Sequence, residues 1–195
     1  MFSGIINVLG KVEHRKGARL SIRAKISKPK LGASIAINGV CLTVVKTNGK
    51  THEFEVGPET WARTSLGALK PGSHVNLETS MKLGDEVGGH FVSGHVDAPS
   101  KILAFAPWDK EFWRLRLELP KSLRAYVAEK GSVAVDGVSL TVTKVGPSWL
   151  EIMLVPHTLA QTNLGGRKPG ERVNLEADPL ARYAVNAVQT LRSRR

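Results

Sequence analysis

Apolar and polar residues alternate with a period of two along most of this chain. Leu20, Ile22, Ala24 and Ile26 are interleaved with Arg19, Ser21, Arg23 and Lys25, and Trp113, Leu115, Leu117 and Leu119 with Arg114, Arg116 and Glu118. Successive side chains of a strand point to opposite faces, so such segments bury one face and wet the other. Asn38-Gly39 and Asp136-Gly137 each stand between apolar β-formers, and both dipeptides tolerate the positive φ angles of a two-residue hairpin. Lys-Pro-Gly at 70–72 and again at 168–170 marks a turn before a further strand. About six short strands per half, without helical crossovers, predict an all-β chain with an antiparallel barrel or a Greek-key sandwich in each half.

The pattern changes at the end of the chain. Asp178 suits a helix N-cap and Pro179 a first helical position, after which Leu180, Tyr183, Ala184, Ala187, Val188 and Leu191 recur at steps of three and four. Arg192, Arg194 and Arg195 complement the negative end of that helix. Its single apolar stripe needs a surface to pack on, either the chain's own barrels or the tail helices of sister subunits.

The chain is also written twice. Ser34–Glu78 lies on Ser132–Glu176 without a gap at a shift of 98 residues, about half the positions being identical. Asn38-Gly39-Val40-Cys41-Leu42-Thr43-Val44 matches Asp136-Gly137-Val138-Ser139-Leu140-Thr141-Val142, and Val75-Asn76-Leu77-Glu78 matches Val173-Asn174-Leu175-Glu176. At a slightly different shift, Phe2-Ser3-Gly4-Ile5-Ile6 lies on Val92-Ser93-Gly94-His95-Val96. Two copies are too few for a solenoid, so each must hold its own core. The expected domains are 1–90, 91–178 and a helical tail over 179–195, and the duplication suggests sites for two similar ligands.

Composition narrows the class. A hydrophobic fraction of 42% and no apolar run near the membrane-spanning length predict a soluble chain without an anchor, placed in the cytoplasm. The single cysteine, Cys41, excludes an intrachain disulfide framework and a cysteine-cluster metal site. The net charge of +11 raises the question of nucleic acid, but aromatics are only 6% and the charges are scattered apart from Lys25-Lys28-Lys30 and the terminal arginines. A single-strand binder interleaves basic residues with stacking platforms, so nucleic acid is not the expected partner. Phosphate loops, zinc-protease signatures and serine-hydrolase elbows are missing from the sequence.

What remains are small polar residues at equivalent places in the two copies. Gly88-Gly89-His90-Phe91-Val92-Ser93-Gly94-His95-Val96 combines two histidines with glycines that permit close backbone approach. Either His90 or His95 can move protons near neutrality. Cys41-Leu42-Thr43 and Ser139-Leu140-Thr141 follow the hairpin turns, placing thiol or hydroxyl groups two residues apart on one strand face, suited to a polar heterocycle. Cys41 has no activating neighbour in sequence, which favours a contact over a covalent nucleophile.

These segments, with Met1-Phe2-Ser3-Gly4-Ile5-Ile6 and Pro156-His157-Thr158-Leu159 to Thr162-Asn163-Leu164-Gly165, resemble riboflavin synthase of the lumazine-dismutating kind over essentially the whole chain. Ser3 stands where that family commonly has threonine, and Gly57-Pro58-Glu59-Thr60-Trp61 is a variant segment. The resemblance implies two six-stranded Greek-key barrels in tandem with a C-terminal helix, and transfer of a four-carbon unit between two molecules of 6,7-dimethyl-8-ribityllumazine. It implies no cofactor and no metal, and a homotrimer in which the first barrel of one subunit faces the second of its neighbour; association with lumazine synthase is left open. Carried over by position, Gly4, Ile5, Ile6, Ser34, Cys41, Leu42, Thr43, Glu55, Val56, Gly57, Pro58, Glu59 and Thr60 form the first ring site. Gly94, His95, Val96, Lys130, Asp136, Ser139, Leu140, Thr141, Met153, Leu154, Val155, Pro156, His157 and Thr158 form the second. His95 and Thr141 are assigned to proton transfer at the C7 methyl group, Ser139 and Asp136 to orientation, and Cys41 to contact or activation of the opposed substrate. A lumazine-binding antenna protein and a nucleic-acid-binding barrel are the competing readings.

Overall fold

The computed structural model describes every residue except Lys28, Arg194 and Arg195. Of the basic clusters read from the sequence, those three members lie outside the described residues. The first half contains β1 (Val8–Lys16), β2 (Arg19–Arg23), β3 (Ser34–Ile37), β4 (Val40–Asn48), β5 (Thr51–Glu55) and β6 (His74–Thr79), closed in the order β1-β2-β5-β4-β3-β6. The second contains β7 (Ala98–Pro107), β8 (Trp113–Glu118), β9 (Ser132–Val135), β10 (Val138–Val145), β11 (Trp149–Leu154) and β12 (Arg172–Ala177), closed in the equivalent cyclic order. Closure leaves neither sheet with a free edge. Bulges recur at matching places, between Val12 and His14 in β1 and between Ile102 and Ala104 in β7.

Alternation holds where it was read except at Ser21, which is buried along with its apolar neighbours. Leu20 and Ile22 of β2 and Leu115 and Leu117 of β8 are at most 1% exposed and belong to separate cores, one inside each barrel. Two elements were not anticipated: short helices α1 (Pro58–Arg63) and α2 (Pro156–Gln161), each followed by a 3-10 turn, at Ser65–Ala68 and Asn163–Gly166. Six residues show no helical periodicity, but proline opens both helices, a position where its missing N–H costs nothing. The tail forms α3 (Pro179–Arg192), with the Asp178 side chain accepting from Leu180 N–H. No residue of α3 is buried; Leu180, Tyr183, Val188 and Leu191 are all about half exposed or more, so its stripe does not dock on the chain's own barrels.

The barrels meet back to back through their tightest hairpins. Asn38 and Gly39 have φ of 46° and 77°, Asp136 and Gly137 of 45° and 80°, the angles of paired type I′ turns. A Cβ on Gly39 would lie 2.8 Å from Gly137 N, and one on Gly137 would lie 2.7 Å from Gly39 N. Around this contact runs a buried amide network. Asn76 Nδ2 donates to the Asp136 carbonyl and Asn174 Nδ2 to the Asn38 carbonyl, while Asn163 Nδ2 donates to both Asn38 Oδ1 and Asp136 Oδ2. Arg167 closes it with a 2.6 Å ion pair to Asp136. Groups this deep are costly unless fully partnered, so the network fixes one relative placement of the barrels.

The seam's dependence on bare glycine is measurable. Gly137→Ala is expected to destabilise the fold by about 2–4 kcal/mol, combining strain at positive φ with a backbone clash. Gly84→Ala, at φ 93° with open space around it, meets only the strain, about 1–2 kcal/mol. Equal losses for the two variants in chemical denaturation would show that the seam tolerates a methyl group.

Candidate active site

The segments preceding the two barrels leave their own halves and cross. Phe2 and Val92 form an antiparallel bridge with paired backbone bonds of 2.8 and 2.9 Å, and with Ala36 and Ala134 they make a small third core between the barrels. Beyond the bridge, Ser139 N–H of the second barrel donates to the Gly4 carbonyl at 2.8 Å, and Cys41 N–H of the first donates to the Gly94 carbonyl at 2.9 Å. Ile6 packs against the second core and Val96 against the first. The sequence-based grouping is therefore corrected: Gly4, Ile5 and Ile6 go to the second barrel, and Gly94, His95 and Val96 to the first. The physical reason is close approach: a Cβ on Gly94 would fall 2.6 Å from Cys41 Cβ, so only glycine lets this arm lie on β4.

Each arm is held by a buried carboxylate. Glu78 Oε1 accepts from Ser3 N and Oγ at 2.7 and 2.8 Å, and Oε2 from Gly4 N at 2.9 Å. Glu176 accepts from Ser93 N and Oγ at 2.7 and 2.6 Å and from Gly94 N at 3.1 Å. The Ser93 hydroxyl in turn accepts from His95 N, so Glu176 indirectly sets the base of the histidine. Burial pushes both carboxyls above the ordinary glutamate value, and the hydrogen bonds from the arms only partly offset it. These glutamates were missing from the expected site, although the repeated Val-Asn-Leu-Glu segments carried the signal.

On the first barrel the arm, β4 and α1 enclose a cavity of about 290 Å³. It is lined by Val40, Cys41, Glu59, Thr60, Arg63, Thr64, Gly94, His95 and Val96. Cys41, Glu59, Thr60 and His95 are thus brought together, and Arg63, which salt-bridges Glu59 at 3.0 Å, joins them unforeseen. Val40 and Val96 supply apolar surface beside a thiol, two threonine hydroxyls, an imidazole and the Glu59–Arg63 pair, a mixture suited to a flat polar heterocycle. Ser34 and Thr43 face each other across β3 and β4 beside this region. Gly57 and Pro58 open α1, and Glu55 is engaged with Arg19 at 2.9 Å. Leu42 and Val56 belong to the core.

The second barrel presents the same elements differently. Ser139 and Thr141 lie on β10, and Val155, Pro156, His157 and Thr158 begin α2. His90 Nδ1 lies 2.7 Å from Ser139 Oγ, while His90 Nε2 is buried without a partner. Burial lowers the pKa of His90, against an opposing pull from Asp178, and so disfavours the charged ring. This contact was not expected, although His90 was weighed as a proton carrier. Leu140 and Leu154 are core residues, and Met153, on the outward face of β11, is 38% exposed. Lys130 is exposed at the entry to β9, with φ of 65° and its N–H donating to Val142 O.

Asp136 is a correction. It is 0% exposed, and its oxygens accept from Asn174 N, Asn163 Nδ2 and Arg167. Burial raises its pKa despite Arg167. It cannot touch a ligand and belongs to the seam. His95 and Thr141, assigned jointly to one proton transfer, are carried by different barrels within a chain, since the arm delivers His95 to the first.

The sequence pattern of the family described as "Lumazine binding domain" matches residues 3–80 and 93–178. Riboflavin synthase of Mycobacterium tuberculosis (strain ATCC 25618 / H37Rv) is 46% identical over 202 residues, covering 97% of this chain and 99% of that one. Riboflavin synthase of Brucella abortus (strain 2308) is 41% identical, with 97% and 98% covered. Among solved structures, the crystal structure of LumP complexed with riboflavin superposes with a TM-score of 0.81 at 22% identity, covering 91% of this chain and 99% of that one, and shows the fold.

A pH titration tests the clamps. Raised folded pKa values mean that the folded chain holds more protons than the unfolded one above the ordinary value of 4.5. The stability tied to Glu78 and Glu176 is then full below that value and declines as pH rises through the folded pKa values. Replacing both by Gln is expected to flatten stability against pH above the ordinary glutamate value in denaturant melts. A profile unchanged by the double substitution would remove the clamps from the pH dependence.

Proposed function

We infer from this geometry that the chain, which belongs to the riboflavin synthase family, is a transferase that dismutates 6,7-dimethyl-8-ribityllumazine. Two molecules give one riboflavin and one 5-amino-6-(D-ribitylamino)uracil. The observation that carries the reading is the exchange of arms: each barrel receives on its β4 or β10 strand an arm from the other repeat, giving two related ring sites with different functional groups. Domains 1–90 and 91–178 are each a lumazine-binding unit, and 179–195 serves assembly.

In the first barrel, Cys41, Thr60, Gly94, His95 and Val96 hold one ring; in the second, Gly4, Ile5, Ile6, Ser139, Thr141 and Thr158 hold the other. His95 accepts the proton lost from the C7 methyl group of one lumazine. The resulting carbanion is stabilised by the substrate's own electron-poor ring, and it attacks the second ring once that ring has been activated by a nucleophile. The chemistry asks of the protein mainly that two rings be held face to face and protons be moved, so no metal or redox cofactor is required.

Because His95 and Thr141 sit on different barrels, they serve one transfer only if barrels from two subunits face each other. The uncovered stripe of Leu180, Tyr183, Val188 and Leu191 supports assembly through α3. Both features favour an oligomer; the homotrimer and an association with lumazine synthase are what the family resemblance implies, and the cytoplasm is the compartment expected from the sequence. Among the described residues no helix is long and apolar enough to cross a membrane.

His95→Gln is expected to reduce turnover by roughly 10² to 10⁴, the range for a lost general acid–base group, with a smaller effect on ligand binding. NMR of C7-methyl exchange into deuterated water isolates the step; wild-type exchange in the mutant would reduce His95 to a positioning residue. Truncation after Asp178 should lower assembly and activity together. Sedimentation of a fully active monomer at assay concentration would refute the shared site.

A further inference from the structure

Part of the chain's net charge of +11 converges on one place outside the two ring sites. Between the two 3-10 turns the barrels leave a groove of about 530 Å³ that runs across the seam. Ser65, Ser73 and His74 line it from the first barrel, and Asn163, Arg167 and Arg172 from the second. Lys11 is the cross-strand partner of His74, and Lys101 that of Arg172. Directly opposed residues leave an antiparallel sheet on the same face, so each lysine shares the sheet face of a residue that lines the groove. The two Lys-Pro-Gly turns carry Lys70, next in sequence to the lining residue Leu69, and Lys168, next to the lining residue Arg167. Among the described residues, none of Lys11, Lys70, Lys101, Lys168 and Arg172 makes an ion pair. Glu171 is the carboxylate that lines the groove, 3.8 Å from Arg167.

Two further observations point to a ligand. Ser65 is 9% exposed, and its Oγ is buried without a partner. Arg167 Nε is likewise buried and unpartnered, although the rest of its guanidinium holds Asp136. An isolated buried donor is costly, and an anion's oxygens would offset that cost after a small side-chain shift.

We propose that the seam groove binds a small oligophosphate anion, held by Arg167, Arg172, Lys101, Lys11 and His74 and by the Ser65 hydroxyl. Cations spread over both barrels call for several linked negative charges rather than one. The lining carries no aromatic platform other than the His74 ring, which argues against single-stranded nucleic acid. The groove is walled by both repeats, so its occupant ties the barrels together.

Tripolyphosphate is the probe, titrated calorimetrically into the full-length protein at fixed ionic strength, with thermal melts in parallel. One site per chain and a melting temperature that rises with ligand concentration are expected. Arg172→Gln with Lys101→Gln should weaken binding by about tenfold or more while leaving dismutation unchanged. Lys46→Gln with Lys50→Gln, on the β4–β5 hairpin, should leave the affinity as it was. Equal losses in the two double variants would reveal diffuse charge attraction and overturn the site. So would inorganic phosphate competing on equal terms, or an oligonucleotide of matched charge binding more tightly. Dismutation is assayed on the same samples, so a failure here is separable from a failure of the enzymatic reading.

Discussion

The arrangement of this molecule depends on the contact between two hairpin turns that have no side chains to keep them apart. Gly39 and Gly137 bring two backbones within 3.0 Å of where a Cβ would stand on either side. At that separation the turn carbonyls come within reach of Asn76 and Asn174 from the opposite halves, and Asn163 can bridge Asn38 and Asp136. Hydrophobic burial alone would let two barrels slide, because it is non-directional. The seam instead uses a short-range steric fit and directional amide bonds, which hold one orientation. The small core of Phe2, Ala36, Val92 and Ala134 then closes the other side of the interface.

That orientation is what allows the arms to exchange. An arm anchored to Glu78 in the first barrel reaches Ser139 in the second, and one anchored to Glu176 in the second reaches Cys41 in the first. The anchor and the destination of each arm therefore lie in different barrels, so a shift of one barrel against the other would displace both ring sites at once. Rigid supports of this kind hold reacting groups to the tolerances that proximity catalysis requires. Burying Glu78 and Glu176 opposes their ionisation, yet each clamps two backbone N–H groups and a hydroxyl that would otherwise go unsatisfied.

Local rules made the barrels legible and left the exchange hidden. Alternation at Leu20–Ile26 and Trp113–Leu119 reports a strand's own faces, and Asn38-Gly39 and Asp136-Gly137 report their own turns, so those features could be read from neighbours in sequence. The family resemblance supplied the identity of most residues around the first cavity. It could not supply which barrel an arm lies on, because Gly4 and Gly94 are equivalent by position and only the seam decides where each goes. Asp136 was misplaced for the same reason: it follows the repeat as the partner of Asn38, and both face the other barrel rather than a ligand. The short helices escaped because six residues are too few for periodicity, with Pro58 and Pro156 as their sole local signal.

Duplication gives two similar sites, and divergence at a few equivalent positions makes them chemically unequal. The arm over the first barrel ends in His95, whereas the arm over the second places Ile5 at the matching point. Cys41 is partly exposed to the first cavity, whereas Ser139 is engaged by His90, which the first barrel does not duplicate. Glu59 and Arg63 form an ion pair on α1, where α2 carries His157 and Gln161. Two identical substrates must take different parts in a dismutation, one losing a proton and the other accepting the four-carbon unit. A symmetric pair of sites would give no preference between those parts, so the differences that arm exchange concentrates around His95 are the ones able to break the symmetry of the reaction.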